Sequence, residues 1–234
     1  MKVSVFAALF IISAFSTKVN AQSSAGASQP ASTKTNNKMD NSTRIRITTD
    51  SGTIIVKLYN ATPLHSANFK KLVSEGFYDN LLFHRVIPEF MIQGGDPLSK
   101  NAPSGTMLGN GGGDMTRIPA EFNKGLFHKR GALAGARDNN PEKASSACQF
   151  YIVQGKKYSS EELDKLEQRL GFMLSPEART AYMNEGGTPF LDMNYTVFGE
   201  VESGMDVVDK IAAVPADGSN RPLGNVKMRM EIMK

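Results

Sequence analysis

The feature that most constrains this chain is a succession of short apolar runs cut apart by glycine, proline and asparagine. They read "RIRIT" from Arg44, "TIIVKLY" from Thr53, "LLFHRVI", "FMIQGG", "GALAGA", "CQFYIVQG", "YTVFGEVE" and, last, "VKMRMEIM". The final run sets Val226, Met228, Met230 and Ile232 against Lys227, Arg229 and Glu231. Alternation at period two is what a strand with one buried face requires. Most of these runs have no helix between them, which predicts an antiparallel barrel or sandwich and not a parallel α/β sheet.

The first two runs are joined through Asp50–Gly52 and predict a β-hairpin. Thr62 followed by Pro63 reads as an N-cap and a first helical residue, with Leu64, Ala67, Leu72 and Val73 at helical spacing and Gly76 as the stop. A second helix, "MDVVDKIAAV" from Met205, precedes Pro215. One segment does not belong to a compact barrel. Within 156–188, Ser159 and Glu162 form a capping box ahead of a Leu163, Leu166, Leu170 stripe closed by Gly171. Ser175 and Pro176 then open another helix that Gly186 or Gly187 ends, so the segment predicts an inserted helical hairpin, read as a local surface elaboration.

The N-terminal region carries an address. Lys2, the apolar run Val3–Ser16 and the small residue Ala21 after "VN" follow the pattern of a secretory signal, with cleavage expected after Ala21. The run is shorter than the roughly 18–20 residues of a membrane span. No cysteine lies near that point to take a lipid, so no stable membrane insertion is expected after cleavage. Residues 22–42 are small and polar, as in a flexible linker. Loss of Lys2 and Lys18 lowers the formal charge from +4 to +2. No block of Lys and Arg and no basic stripe interleaved with aromatics appears, which argues against a nucleic-acid partner. Cys148 is the one cysteine, so the exported chain has no internal disulfide, and the thiol reads as a small buried hydrophobe. A soluble periplasmic monomer is expected, with secretion beyond the envelope the other destination.

Arg85 needs a separate reason. It lies in "FHRVIPEFMIQGGD", Phe83–Asp96, with no acid close by until Glu89. An arginine is almost never fully buried without a partner. Either its tip reaches solvent, or it is kept for something that is not always bound. This stretch, followed by "CQFYIV" at 148–153 and "FLDMNYTVFGEV" at 190–201, closely resembles the cyclophilin family of peptidyl-prolyl cis–trans isomerases. The resemblance spans residues 43–234 in the right order, leaving out the inserted hairpin. It implies a mainly β fold, a closed eight-stranded antiparallel β-barrel capped by two helices. It also implies that Arg85 is the catalytic residue, pointing into an external groove that takes proline. By motif position, Phe90, Met91, Tyr151 and Leu191 would form the proline pocket. Gln93 would orient Arg85 and touch the peptide backbone. Ala136 and Arg137 would offer backbone groups, with Gln149 nearby and Tyr195 as a wall. The substrates implied are proline-containing peptides and unfolded exported proteins, with no metal and no cofactor.

Several positions depart from the family's pattern. Phe190 stands where many members have a tryptophan whose N–H helps to bind cyclosporin, and this chain has no tryptophan. Tyr195 replaces a common histidine. Tyr151 replaces phenylalanine and adds a hydroxyl at the pocket floor. The alternative within the same resemblance is a module or chaperone that holds proline segments without turnover.

Other chemistries find less support. Neither Ser66 nor Ser99 lies in a G-x-S-x-G elbow, and strand alternation sends His84 and Arg85 to opposite faces. There is no HExxH, cysteine cluster or EF-hand spacing. "GNGGGD" at 109–114 lacks the strand and helix of a phosphate loop and reads as a flexible loop beside the groove.

Overall fold

The structure, a computed structural model, describes residues 42–234. The expected signal segment 1–21 and all but the last residue of the linker lie outside the described residues. Eight strands form one antiparallel sheet: β1 Arg44–Thr49, β2 Gly52–Leu58, β3 Phe83–Ile87, β4 Met91–Gly94, β5 Ala132–Gly135, β6 Phe150–Val153, β7 Val197–Ser203 and β8 Met228–Ile232. Their order across the sheet is β3-β4-β6-β5-β7-β2-β1-β8.

The curled sheet is not a closed barrel, which corrects the expectation. Its end strands, β3 and β8, share no ladder. They meet only around their first residues, where Leu82 bridges Lys227 and the amides of Asn80, Phe83 and Met228 donate to the carbonyls of Met228, Val226 and Leu81 respectively. Facing residues on the inner surface explain the curl. Ile45, Ile47, Ile54, Val56, Val86, Ile92, Leu133 and Ile152 are fully buried and share one cluster with Phe69, Phe150 and Phe198. Each such side chain contributes about 1.5–3 kcal/mol by leaving water. The alternate residues of β1 stay outside, where Arg44 and Arg46 pair with Glu202 and Glu231.

Two helices complete this core. In α1, Pro63–Ser74, the buried face is His65, Phe69, Leu72 and Val73. The helix Met205–Ala212, termed α4, buries Val207, Val208, Ile211 and Ala212. Gly76 follows α1 in the left-handed region as expected, but Thr62 does not cap it. Its hydroxyl lies 3.5 Å from Tyr59 O, and the first-turn amides of Leu64 and His65 donate instead to the Glu121 carboxylate, at 3.0 and 2.9 Å.

The inserted hairpin is present as read. Helix α2 spans Ser160–Leu170 and α3 spans Pro176–Asn184. The capping box forms, with Glu162 N donating to Ser159 Oγ and Ser159 N to Glu162 Oε2. Gly171 closes α2 at φ +72°, a left-handed conformation that costs a side chain-bearing residue more than glycine. Leu163, Leu166, Leu174, Ala178 and Tyr182 make a small core of their own, with Leu170 partly buried against it. The hairpin leaves and rejoins the sheet at one place, since Gly187 bridges both Lys156 and Lys129.

Candidate functional site

Strand register builds the site. Arg85 of β3 pairs with Gln93 of β4, Gln93 with Tyr151 of β6, and Tyr151 with Ala134 of β5. The next row, Val86, Ile92, Ile152 and Leu133, is turned into the core. Period two therefore puts Arg85, Gln93 and Tyr151 together on the outer face. A second apolar cluster lies there, made of Met91, Ala132, Ala134, Ala136, Tyr151, Val153 and Val197, with Phe90, Leu191 and Tyr195 packed on it. Three alanines among larger neighbours leave space. The result is a hollow of about 100 Å³ lined by Arg85, Phe90, Met91, Gln93, Ala136, Arg137, Tyr151, Leu191 and Tyr195.

Arg85 is half-buried at this hollow and enters no ion pair among the described residues. Its one hydrogen bond runs from Nη1 to Gln93 Oε1, at 3.3 Å. The row continues, Gln93 Nε2 donating to Gln149 Oε1 at 3.1 Å and Gln149 Nε2 to the carbonyls of Gly109 and Gly111 at 3.0 and 2.9 Å. The glutamine amides thus have assigned orientations, and the remaining guanidinium N–H groups have no acceptor among the described residues.

Two predicted residues sit beside the hollow and do not line it. Gln149 faces an adjoining cleft of about 370 Å³, shared with Gln93, Ala136, Arg137 and the Gly109–Gly113 loop. Phe190 is 38% exposed at the rim, its ring 5.7 Å from that of Phe90. Ala136 also differs from expectation: its amide donates to Gln149 O and its carbonyl accepts from Ser146, so it presents mainly its methyl group. Arg137 is the reverse case. Its main-chain N–H and C=O have no partner among the described residues, while its side chain is tied down, Nε donating to Asn194 O and Cζ lying 4.6 Å from the Tyr195 ring centroid.

The Tyr151 hydroxyl turns away from the hollow, 2.9 Å from His128 Nε2. His128 Nδ1 lies 2.8 Å from Asp192 Oδ1, and Tyr182 of α3 donates its hydroxyl to Asp192 Oδ2 at 2.6 Å. The floor therefore keeps an aromatic face without exposing a polar atom. These partners were not legible: they lie 64, 23 and 10 positions apart, and no local pattern joins them.

A hydrolase-like triad also occurs, unanticipated from sequence. Ser145 Oγ is 2.9 Å from His65 Nε2, and His65 Nδ1 is 2.6 Å from Glu121 Oε2. Ser145 is 1% exposed and the adjacent void is about 10 Å³, so no acyl group reaches it. Burial lowers the His65 pKa against the opposing pull of Glu121, leaving a neutral ring and a structural contact. His84 is likewise buried, and burial brings its pKa down to about 4. Among the described residues no group of three or more His, Cys, Asp or Glu is placed to hold a metal, and no helix is long and apolar enough to cross a membrane.

Fold and site together define a β-sheet domain with an external apolar hollow beside an unpaired guanidinium. Residues 44–231 match the family model described as cyclophilin type peptidyl-prolyl cis–trans isomerase/CLD. A putative peptidyl-prolyl cis–trans isomerase of Staphylococcus haemolyticus is 32% identical over 188 residues, covering 80% of this chain and 89% of that protein. A probable one of Brucella abortus is 38% identical over 175 residues, covering 74% and 70%. A putative bifunctional phosphatase/peptidyl-prolyl cis–trans isomerase of Streptococcus pyogenes is 38% identical over 188 residues, 78% of this chain but only 37% of that longer protein. The crystal structure of a cyclophilin type isomerase from Cryptosporidium parvum superposes with a TM-score of 0.60 over 82% of this chain and 98% of that one, at 22% identity, a likeness of fold. This chain belongs to the cyclophilin-type peptidyl-prolyl cis–trans isomerases.

Proposed function

We propose that this chain rotates X-Pro peptide bonds of exported polypeptides, with the proline ring in the hollow and Arg85 as the catalytic group. The observation that carries this reading is the state of Arg85: half-buried at an apolar hollow, held by one 3.3 Å bond to Gln93, and with N–H groups to spare. The amide barrier, roughly 18–20 kcal/mol, comes from delocalisation of the nitrogen lone pair into the carbonyl. A guanidinium N–H donating to the prolyl nitrogen localises that pair, most strongly when the amide is twisted, so it favours the transition state over either ground state. Arginine suits the task because its donors are planar and permanently charged. No bond breaks, so no nucleophile or metal is called for.

Magnitudes divide the work. Uncatalysed isomerisation takes tens of seconds. A turnover near ~1000 per second lowers the barrier by roughly 6–7 kcal/mol. One charged hydrogen bond supplies about 1.5–3 kcal/mol. The remainder falls to the hollow, where Phe90, Met91, Tyr151 and Leu191 hold the ring and exclude water while the acyl side turns. The free backbone N–H and C=O of Arg137 suit an extended peptide, and Phe190 and Tyr195 stand as rim and wall. One of the solved relatives was crystallised in the presence of the dipeptide Ala-Pro, in keeping with a prolyl ligand.

The N-terminal address and the polar linker support export, with a bacterial periplasm the favoured compartment and folding of exported proteins the favoured role. The test is a cis–trans assay on a short X-Pro peptide, wild type against Arg85→Ala. A loss of about tenfold or more is expected if the guanidinium bond acts in the transition state. Equal turnover by both refutes the mechanism. Binding by both with turnover by neither makes the chain a proline-binding module.

A further inference from the structure

The inserted hairpin reaches the proline hollow through a single buried row of hydrogen bonds. Tyr182 is fully buried on α3, Asp192 follows the wall residue Leu191, His128 precedes β5, and Tyr151 is the floor; all four are at most 6% exposed. Asp192 offers only acceptors, and every partner is a donor. Oδ1 takes the His128 main-chain N–H at 2.9 Å and the ring Nδ1–H at 2.8 Å, and Oδ2 takes the Tyr182 hydroxyl at 2.6 Å. A neutral His128 therefore carries its proton on Nδ1. Nε2 is left as an acceptor, and the Tyr151 O–H donates to it at 2.9 Å. The two rings also stack, 13° apart. Each hydrogen bond has one direction, and the row ends on the ring beneath the bound proline.

We propose that Tyr182 is a positioning residue for the prolyl site, acting through Asp192 and His128 to hold the Tyr151 ring and the Leu191 wall. The hairpin is thereby part of the enzyme's binding apparatus. This rests on the hollow being the proline site. Without the Tyr182 hydroxyl, Asp192 Oδ2 is left buried with no donor, and the carboxylate is freer to turn away from His128. In a low-dielectric interior, loss of one member weakens the rest of such a chain.

The test uses the full chain and Tyr182→Phe, which keeps the ring that packs against Phe127 and Tyr158. The KM for a short X-Pro peptide is expected to rise roughly two- to thirtyfold, the range of couplings carried by packed networks. Because the floor also holds the ring while the amide turns, kcat should fall in the same variant, by less than in Arg85→Ala. On a Tyr151→Phe background the same substitution should add a smaller loss, only what passes through Asp192 to the Leu191 wall. Unchanged KM in folded Tyr182→Phe overturns the proposal, as does an equal loss on both backgrounds. Imidazole nitrogen NMR of the unmutated protein gives an answer that does not depend on how the variants fold: a His128 ring protonated on Nε2 alone overturns it. Arg85→Ala in the same assay separates the two readings. Undiminished activity after that change refutes the site itself, whereas a silent Tyr182→Phe beside a loss of about tenfold or more in Arg85→Ala refutes only the row.

Discussion

Replacing Glu121 by alanine should destabilise the whole domain, although Glu121 lies in a loop 56 positions from the helix it caps. Its carboxylate accepts from the amides of Leu64 and His65 at the start of α1 and from His65 Nδ1 at 2.6 Å. Loss of an N-cap costs about 0.5–2 kcal/mol. The His65 ring, 2% exposed, then keeps an N–H with no acceptor, which adds about 1–3 kcal/mol. The expected loss is roughly 2–4 kcal/mol, or about 4–16 °C in Tm for a domain of this size. Urea unfolding followed by circular dichroism at neutral pH measures it, and Glu121→Gln, which keeps one acceptor oxygen, should lose less. The effect has a definite dependence on pH. Burial pushes the Glu121 carboxyl up, but the Leu64 and His65 amides and the His65 ring outweigh it and hold the group below the usual carboxylate range. A depressed folded pKa gives stability that is complete above the ordinary glutamate value of about 4.3 and is lost as pH falls through the lowered one. The gap between wild type and Glu121→Ala should therefore narrow in acid. A loss below about 0.5 kcal/mol, which is the scale of an ordinary surface change, or a gap that does not shrink in acid would refute the assignment of Glu121 as the cap.

Two further outcomes follow from the site and its surroundings. Gly187→Ala places a Cβ 2.3 Å from His128 O and 2.6 Å from the Tyr182 ring at φ +154°, so a loss of about 2–4 kcal/mol in urea unfolding is expected; a neutral change would contradict the packing at this junction. Cyclosporin should inhibit weakly, because Phe190 at the rim offers no N–H, and an inhibition curve with a nanomolar midpoint, about −12 kcal/mol of binding, would contradict that reading.

What the sequence disclosed was local. Ile45 and Ile47 alternate with arginines and point inward; Ser159, Glu162 and Gly171 bound α2 where their chemistry places them. His84 and Arg85 do part, the first buried and the second at the hollow, but a register shift between Phe83 and Arg85 separates them and not plain alternation, since Phe83 and Val86 both face the core. The site's contributors came from the family likeness, and the register row of Arg85, Gln93 and Tyr151 accounts for their meeting. Thr62 misled because its residue type fits a cap, while a distant carboxylate with two acceptor oxygens takes both first-turn amides. The closed barrel failed for a similar reason: the run at 81–87 reads as one strand, but only its first residues reach β8's approach, and Val86 N turns to Asn220 O instead. Contacts such as Tyr182 to Asp192 depend on how the insert folds back, which no spacing records.

The bridge from Lys156 to Gly187 gives the inserted helices the character of a cassette. Entry and exit lie side by side, so a turn of a few residues could replace some thirty without moving a neighbouring strand, and lengthening such a loop adds only weakly to its closure entropy. What such an exchange alters is the stiffness of the aromatic floor beneath the substrate, making a peripheral addition a means of retuning the enzyme from outside its catalytic sheet.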